Sequence, residues 1–338
     1  MAIHKLKVSN FKSIKNLELD CKRINVFIGE PNTGKSNILE TIGLLSSINY
    51  NKLDNFVRFE SMLDLFYDRN IIDPIKIEFD NTILTVTFKD DRFVADVIEY
   101  NKDEDASSGV VSYDYDGNQT RYIDYSLNLG KYDFAQFKYY RFKKLEAFSN
   151  KTSDYLLPSD GENLLHIILT RKDLKSIISN LFKKFGYRVV FKPSEGKIEI
   201  QKEQDDVIVS IPYALSSETL QRMSFYLAAI HSNKDSVISF EEPEAHAFPY
   251  YMKYLAEKVA IDKANNQYFI ATHNPYFLMS ILEKAQKKEI ATFATYFEDY
   301  QTKVKALSSE ETENALSMGA DVFFNIDQFL KREECAGN

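Results

Sequence analysis

The segment Gly29-Glu30-Pro31-Asn32-Thr33-Gly34-Lys35-Ser36 constrains the fold of this chain more than any other. It fits the pattern G-x-x-x-x-G-K-[ST] at every position, and that pattern needs a buried strand before it and a helix after it. Residues 24–28 form an apolar run of the kind found in buried strands, and helical spacing follows the loop at Ile38, Ile42 and Leu45. The sequence therefore predicts a strand, a loop and a helix in that order.

The same loop has the chemistry to hold phosphate. Its glycines let backbone N–H groups turn towards phosphate oxygens, and the N-terminus of the helix adds a partial positive charge. In such loops the lysine reaches the β- and γ-phosphates and the serine hydroxyl binds Mg²⁺. A glycine turn with a surface lysine is the alternative, and the flanking strand and helix argue against it. We expect ATP and Mg²⁺ as ligands, with Ser36 as a metal ligand and with these nucleotide-binding residues: Gly29, Glu30, Pro31, Asn32, Thr33, Gly34, Lys35, Ser36 and Asn37.

Two adjacent carboxylates follow a second buried strand. Residues 237–240 are Val-Ile-Ser-Phe, and Glu241 and Glu242 come next, at the end of the strand where α/β sheets bind ligands. Because side chains alternate along a strand, the two carboxylates point in different directions. We predict that Glu241 binds Mg²⁺ through water and that Glu242 is the general base that activates the attacking water. An acidic surface turn is the alternative that this pattern leaves open.

A histidine ends the next strand. His273 lies in Ala271-Thr272-His273-Asn274, one strand and one helix after the carboxylate pair. A histidine at a strand end is often structural, but this position favours a hydrogen bond to the γ-phosphate. We therefore predict a catalytic role for His273.

Composition and charge narrow the classes of protein. Hydrophobic residues make up 44% and charged residues 27%, as in ordinary globular proteins. The apolar runs are shorter than the roughly 20 residues that span a bilayer, and the N-terminus lacks a signal peptide, so we expect a cytoplasmic protein with no membrane partner. The net charge of -8 argues against coating DNA by bulk electrostatics. Residues 138–144 and 171–192 could form a local basic face, although a solvated face is the simpler interpretation.

Taken together, the three motifs resemble the Walker A, Walker B and switch-histidine motifs of ABC-type ATPase heads. The resemblance is to the branch with SMC, RecF and overcoming-lysogenization-defect (OLD) proteins, and residues 3–14 and 160–164 are similar to other stretches of that branch. It implies an α/β fold of the P-loop NTPase class, an ABC-ATPase head with an N-terminal antiparallel β-subdomain and a helical lobe. Residues 74–125 support the antiparallel part because apolar residues alternate there, and residues 161–185 show helical spacing.

The resemblance also implies how the chain is organised. We expect a single head over residues 1–338, without coiled-coil arms because no stretch sustains heptads, and resembling an OLD-type head without a Toprim nuclease domain. Its parts would be an N-terminal lobe with Walker A (1–135), a helical lobe with the signature motif (136–235), a Walker B and switch-histidine segment (236–300) and a C-terminal extension (301–338).

In this family a signature motif, Leu-Ser-Gly-Gly-Gln or a looser relative, completes the site from a second subunit. Leu215-Ser216-Ser217-Glu218-Thr219 occupies that place, which implies that Ser216 and Ser217 bind the nucleotide in an ATP-dependent homodimer. Glu218 departs from the motif, since a carboxylate about 5 Å from the γ-phosphate would repel it by a few kcal/mol. Glu241 departs as well, because most of the family has Asp there.

Two classes of function follow. The first is an ATPase that acts as a dimerising switch in DNA repair or in defence against foreign DNA. The second is a regulatory ATP-binding module, with weak or no hydrolysis, that controls a separately encoded nuclease or toxin. A transporter ATPase is disfavoured by the antiparallel segment after the first helix.

Overall fold

The computed structural model describes residues 2–100, 107–124 and 134–330. Its strands and helices follow in chain order. The strands are β1 (Lys5–Phe11), β2 (Ile14–Asp20), β3 (Ile24–Gly29), β4 (Ile75–Phe79), β5 (Thr82–Lys89), β6 (Arg92–Glu99), β7 (Ser107–Tyr113), β8 (Gln119–Asp124), β9 (Phe137–Tyr140), β10 (Arg188–Lys192), β11 (Lys197–Gln204), β12 (Val207–Pro212), β13 (Val237–Glu241), β14 (Gln267–Ala271), β15 (Ile290–Glu298) and β16 (Gln301–Ala306). The helices are α1 (Lys35–Ser47), α2 (Leu164–Thr170), α3 (Lys172–Lys183), α4 (Glu218–Ser232), α5 (Pro249–Ala260), α6 (Pro275–Lys284), α7 (Ser309–Met318) and α8 (Asp327–Leu330).

A six-stranded sheet forms the centre of the molecule, in the order β16-β15-β3-β14-β13-β9. Its strands are parallel from β15 to β9, and β16 is antiparallel to β15. The carboxyl ends of β3, β14 and β13 therefore lie side by side at one edge, with β14 in the middle. This is the edge where parallel sheets place ligands.

Hydrophobic cores cover both faces of this sheet. Because side chains alternate along a strand, Ile24, Val26 and Ile28 of β3 pack on one face and Phe27 packs on the other. Helices α2 to α6 and the sheet of β10, β11 and β12 cover the first face, and α1 and the antiparallel sheet cover the second. This layered arrangement confirms the predicted α/β class with an antiparallel part and a helical part.

The antiparallel sheet has seven strands in the order β2-β1-β4-β5-β6-β7-β8. It contains the alternation predicted for residues 74–125 and a turn in which Gly117 N–H donates to Asp114 O. It also contains β2, which was not predicted from the sequence. The buried side chains of β2 are Ile14, Leu17 and Leu19, which do not alternate regularly along the strand, so its apolar pattern is weak.

The helical part differs from its prediction at one point. Helical spacing over residues 161–185 suggested one continuous stretch, but α2 ends at Thr170 and α3 begins at Lys172. Arg171 between them has extended backbone, and its guanidinium donates to Asp154 O at 2.6 Å. Residues 136–235 also include strands: β9 at the edge of the central sheet, and the antiparallel sheet β10-β11-β12.

Two helices begin at residues that cap them. The Asn274 side chain accepts hydrogen bonds from Tyr276 N–H and Phe277 N–H ahead of α6, with Pro275 at the first helical position. Ser308 and Glu311 form a capping box at α7. Among the described residues, no helix has both the length and the apolar character to cross a bilayer.

Candidate nucleotide-binding site

The glycine-rich loop lies between β3 and α1, as predicted. Gly34 precedes α1 with φ 92°, a left-handed conformation that favours glycine. A Cβ atom on Gly34 would also collide with the Thr302 side chain of β16. Since no acidic residue lies in its first turn, α1 directs an uncompensated positive helix end at this loop.

Lys35 is folded back onto its own loop. Its ammonium donates to Gly29 O at 2.9 Å and Glu30 O at 2.6 Å, and Thr33 Oγ1 lies at 3.3 Å. The residue is only 4% exposed. Burial lowers the pKa of the Lys35 amine to about 8, and the nearby charges of Glu242 and Glu30 limit this decrease. The loop carbonyls thus bind the Lys35 ammonium, and phosphate oxygens could replace them as its hydrogen-bond acceptors.

The hairpin of β15 and β16 supports the loop from the side. Thr33 Oγ1 lies 2.8 Å from Thr295 Oγ1. On the other side, Ser13 Oγ lies 2.6 Å from Thr302 Oγ1 and accepts a hydrogen bond from the Asn37 amide at 2.6 Å. The Asn37 side chain therefore supports the loop. Strand β16, which belongs to the predicted C-terminal extension (301–338), supports it as well.

Glu241, at the end of β13, is held by groups that the sequence did not indicate. Tyr139 O–H of β9 donates to Glu241 Oε2 at 3.2 Å, and Arg58 Nη2 lies 3.5 Å from Glu241 Oε1. Arg58 also donates through Nε to the buried Glu40 of α1 at 2.6 Å, and Glu40 in turn pairs with Lys12. Glu241 thus stands at the end of a chain of alternating charges.

Glu242 and His273 meet at the same edge. Glu242 follows β13 with φ 43°, and its Oε1 lies 3.2 Å from His273 Nε2. The hydrogen bond from His273 lowers the pKa of the Glu242 carboxyl, and the charge of Lys35 acts in the same direction. Three predicted residues, Lys35, Glu242 and His273, are therefore brought together.

Glu244 is a component that sequence reasoning left unassigned. It is 5% exposed, and its Oε1 accepts from Thr272 O–H at 2.5 Å and from His273 N–H at 3.3 Å. Its Oε2 has no hydrogen-bond partner among the described residues. Burial raises the pKa of the Glu244 carboxyl to about 7. This side chain ties the loop after β13, which carries Glu242, to the loop after β14, which carries His273.

The signature segment lies apart from this cluster within one chain. Ser216 Oγ donates to Tyr213 O at 2.7 Å, and neither Ser216 nor Ser217 bonds to the glycine-rich loop in the described part of the chain. Glu218 begins α4 and pairs with Arg222 at 2.8 Å, which lowers the pKa of its carboxyl. Thr219 Oγ1 donates to His246 O at 2.8 Å, linking this segment to the loop after Glu244.

The sequence is similar to those of known nucleotide-hydrolysing proteins. A family model described as an AAA ATPase domain matches residues 1–223. A curated protein of Helicobacter pylori, described as an ATP/GTP phosphatase, is 19% identical over 353 residues, covering 91% of this chain and 93% of the relative.

Solved structures match in fold. An SMC head bound to the C-winged helix domain of ScpA has a TM-score of 0.54 at 16% identity, covering 93% of this chain and 100% of that chain. An Smc head with an extended coiled coil, bound to the C-terminal domain of ScpA derived from Pyrococcus furiosus, has a TM-score of 0.53 at 16% identity, with coverage of 93% and 98%. The fold is thus that of an SMC-type ATPase head.

Proposed function

This chain belongs to the AAA ATPase domain family and hydrolyses ATP, and we propose that the reaction takes place where β3, β14 and β13 end. The observation that carries this proposal is the convergence of Lys35, Glu242 and His273 at that edge, with 3.2 Å between Glu242 and His273. Each residue comes from a different loop, so the site depends on the parallel order of the sheet.

In the proposed mechanism the loop N–H groups and the α1 terminus bind the phosphates of ATP. Lys35 exchanges its loop carbonyls for β- and γ-phosphate oxygens. Glu242 is ionised at neutral pH because its pKa is lowered, and it accepts the proton of the attacking water. His273 donates to the Glu242 carboxylate in the free protein, and with ATP bound it would donate this hydrogen bond to the γ-phosphate instead.

Mg²⁺ fits the oxygen donors at this edge. No group of three or more His, Cys, Asp or Glu side chains able to hold a metal occurs in the described part of the chain. This suits Mg²⁺, which in nucleotide sites takes one or two protein ligands and completes its shell with phosphate oxygens and water. Ser36 and Glu241 would be those ligands, and the ion would supply charge neutralisation at the phosphates.

Hydrolysis would reset a switch between two copies of the chain. In this proposal Ser216 and Ser217 of a second copy contact the γ-phosphate, as the signature resemblance implies. The ion pair of Glu218 with Arg222 reduces the repulsion that a free carboxylate would exert on that phosphate. An ATP-closed dimer could then act in DNA repair or in defence against foreign DNA, through contacts that differ between its states.

The second candidate is a regulatory module that controls a separately encoded nuclease or toxin. The observation that favours it is Glu218, which still places a carboxylate at the start of α4, where the signature motif has glycine. DNA binding that weakens with salt would support the first candidate. Tight association with a partner protein and no DNA binding would support the second.

The test combines hydrolysis and molar mass. We expect Glu242→Gln to retain ATP binding and to slow phosphate release by about 10² to 10⁴, the usual contribution of a positioned base. Light scattering on this variant should show a higher molar mass with Mg-ATP than without it if the switch operates. The control, Lys35→Ala, should neither bind ATP nor change mass.

Each readout can fail by itself. Normal turnover by Glu242→Gln would place the general base elsewhere. An unchanged mass, together with slowed turnover, would remove the switch and leave the catalytic assignment standing.

A further inference from the structure

Strand β12 is an edge strand whose usual protection is limited to Pro212 at its carboxyl end. It is Val207-Ile208-Val209-Ser210-Ile211-Pro212, it pairs with β11 on one side, and it carries no charged residue. The other edge strands, β2, β8, β9, β10 and β16, each contain at least one charged residue. Soluble proteins use such charges to prevent pairing with further strands, so an uncharged edge invites it.

The side chains of β12 are exposed on both of its faces. Val207 is 59% and Ile208 is 60% exposed, although they are β-branched and apolar. An apolar groove continues from the strand, with Leu215 at 70% exposure on its rim. The groove is lined by Phe182, Phe185, Tyr187, Ile200, Ile211 and Leu215. An added strand would find side-chain contacts here as well as backbone hydrogen bonds.

Charge at the two ends of this surface favours a second copy as the occupant. β12 follows an acidic turn, Asp205-Asp206, while the exposed Lys183 comes directly after Phe182 of the groove. In an antiparallel pair of two β12 strands, the start of one lies beside the end of the other. The acidic turn of each copy would then face the Leu215 end of its partner, where Lys183, next in sequence to Phe182 of the groove, supplies a positive charge.

We propose that β12 pairs with β12 of a second copy across a two-fold axis, which joins two three-stranded sheets into one of six strands. Such an interface is isologous, and the uncharged strand meets itself without like-charge repulsion. The contact does not involve the nucleotide, so it goes beyond the ATP-dependent dimer proposed above. Because β12 leads directly into Tyr213–Leu215 and Ser216, the contact would also hold the start of the signature segment in a fixed position.

The test introduces a charge at Val209, near the centre of the strand, where we place the two-fold axis. All proteins carry Lys35→Ala and are measured without nucleotide, so that no ATP-dependent contact contributes. We expect a dimer by light scattering for this parent. Val209→Asp and Val209→Lys should each be monomeric, because identical charges then meet across the axis. Mixing these two variants in equal amounts should restore the dimer, since the opposite charges attract.

The matched control is Ile72→Asp, at a residue that is 89% exposed and lies outside every strand; it should leave the dimer intact. A monomeric parent at all concentrations would overturn the proposal. So would dimeric Val209 variants, or an equal mixture that stays monomeric. None of these outcomes bears on hydrolysis, which the Glu242→Gln experiment tests separately.

Discussion

The buried ammonium of Lys35 makes nucleotide affinity depend on pH. Its pKa in the free protein is about 8 because of burial, and bound phosphates would raise it again by offering negative charge. Binding therefore takes up a proton above about pH 8. We expect the ATP affinity to be constant below about pH 8 and to fall up to tenfold per pH unit above it.

Titrations with a fluorescent ATP analogue between about pH 7 and 10 measure this dependence. Lys35→Arg is the matched control, since a guanidinium stays charged over that range. A flat profile for the unsubstituted protein would show that Lys35 keeps its ordinary pKa.

Glu244 makes the stability of the folded protein depend on pH, over a lower pH range than that in which Lys35 affects ATP affinity. Its pKa is raised from 4.5 to about 7 in the folded protein, so the folded state holds a proton that the unfolded chain has already released. Stability therefore falls as pH rises through this window. Glu244→Gln removes the effect, and we expect it to be more stable than the parent by about 2 to 3 kcal/mol at pH 8.

At about pH 5 the two proteins should differ little, because Glu244 is then mostly protonated in the folded state. Urea unfolding at both pH values measures the difference. An equal difference at pH 5 and pH 8 would rule out titration of Glu244 as the cause.

At the residue scale, the sequence predicted the site residues that belong to a recognisable motif. It did not predict those whose role depends on burial or on contacts formed only in the fold. Lys35, Glu242 and His273 were placed by pattern, and the structure brings them together. Glu244 was passed over because only the fold shows that it is buried beside Thr272. Arg58 lies in a segment without periodicity, so its contact with Glu241 had no sequence signal.

At the element scale, the β15–β16 hairpin contacts the glycine-rich loop and the residues that support it through hydroxyl groups. Thr302 and Thr292 are both buried threonines of this hairpin. Thr302 Oγ1 lies 2.6 Å from Ser13 Oγ, while Thr292 Oγ1 has no hydrogen-bond partner among the described residues. We expect Thr302→Val to weaken ATP binding about tenfold, the equivalent of one buried hydrogen bond.

Thr292→Val is the matched control. It changes the same atoms in the same hairpin, and we expect unchanged ATP affinity and equal or higher stability. Calorimetric titration with ATP compares the two variants. Equal affinities would mean that β16 does not contribute to the loop.

Elements were predictable when their pattern was local. The strand, loop and helix around Lys35 and the starts of α6 and α7 follow from residues close in sequence. β9 has only four residues, and it joins the central sheet because Tyr140 pairs with Phe240, far along the chain. The break between α2 and α3 depends on the contact of Arg171 with Asp154. Contacts between residues far apart in the chain produce no periodic pattern in the sequence, so these two features could not be predicted from it.

At the scale of the whole molecule, β3 joins the two hydrophobic cores. Ile24, Val26 and Ile28 belong to one core and Phe27 to the other, so neither core can unfold and leave this strand in place. We expect calorimetry to show one unfolding transition for both cores. Saturating Mg-ATP should raise the temperature of the entire transition, since a ligand at 100 times its Kd adds about 2.7 kcal/mol.

Glu242→Gln is the protein for this measurement, because it should retain ATP during heating, and Lys35→Ala is the control that should not shift. The single transition follows from a strand that serves two cores, which no local pattern in the sequence indicates. Two transitions, of which ATP moves only one, would mean that the antiparallel part unfolds independently of the helical part. The residues predicted as one head would then behave as two cooperative units.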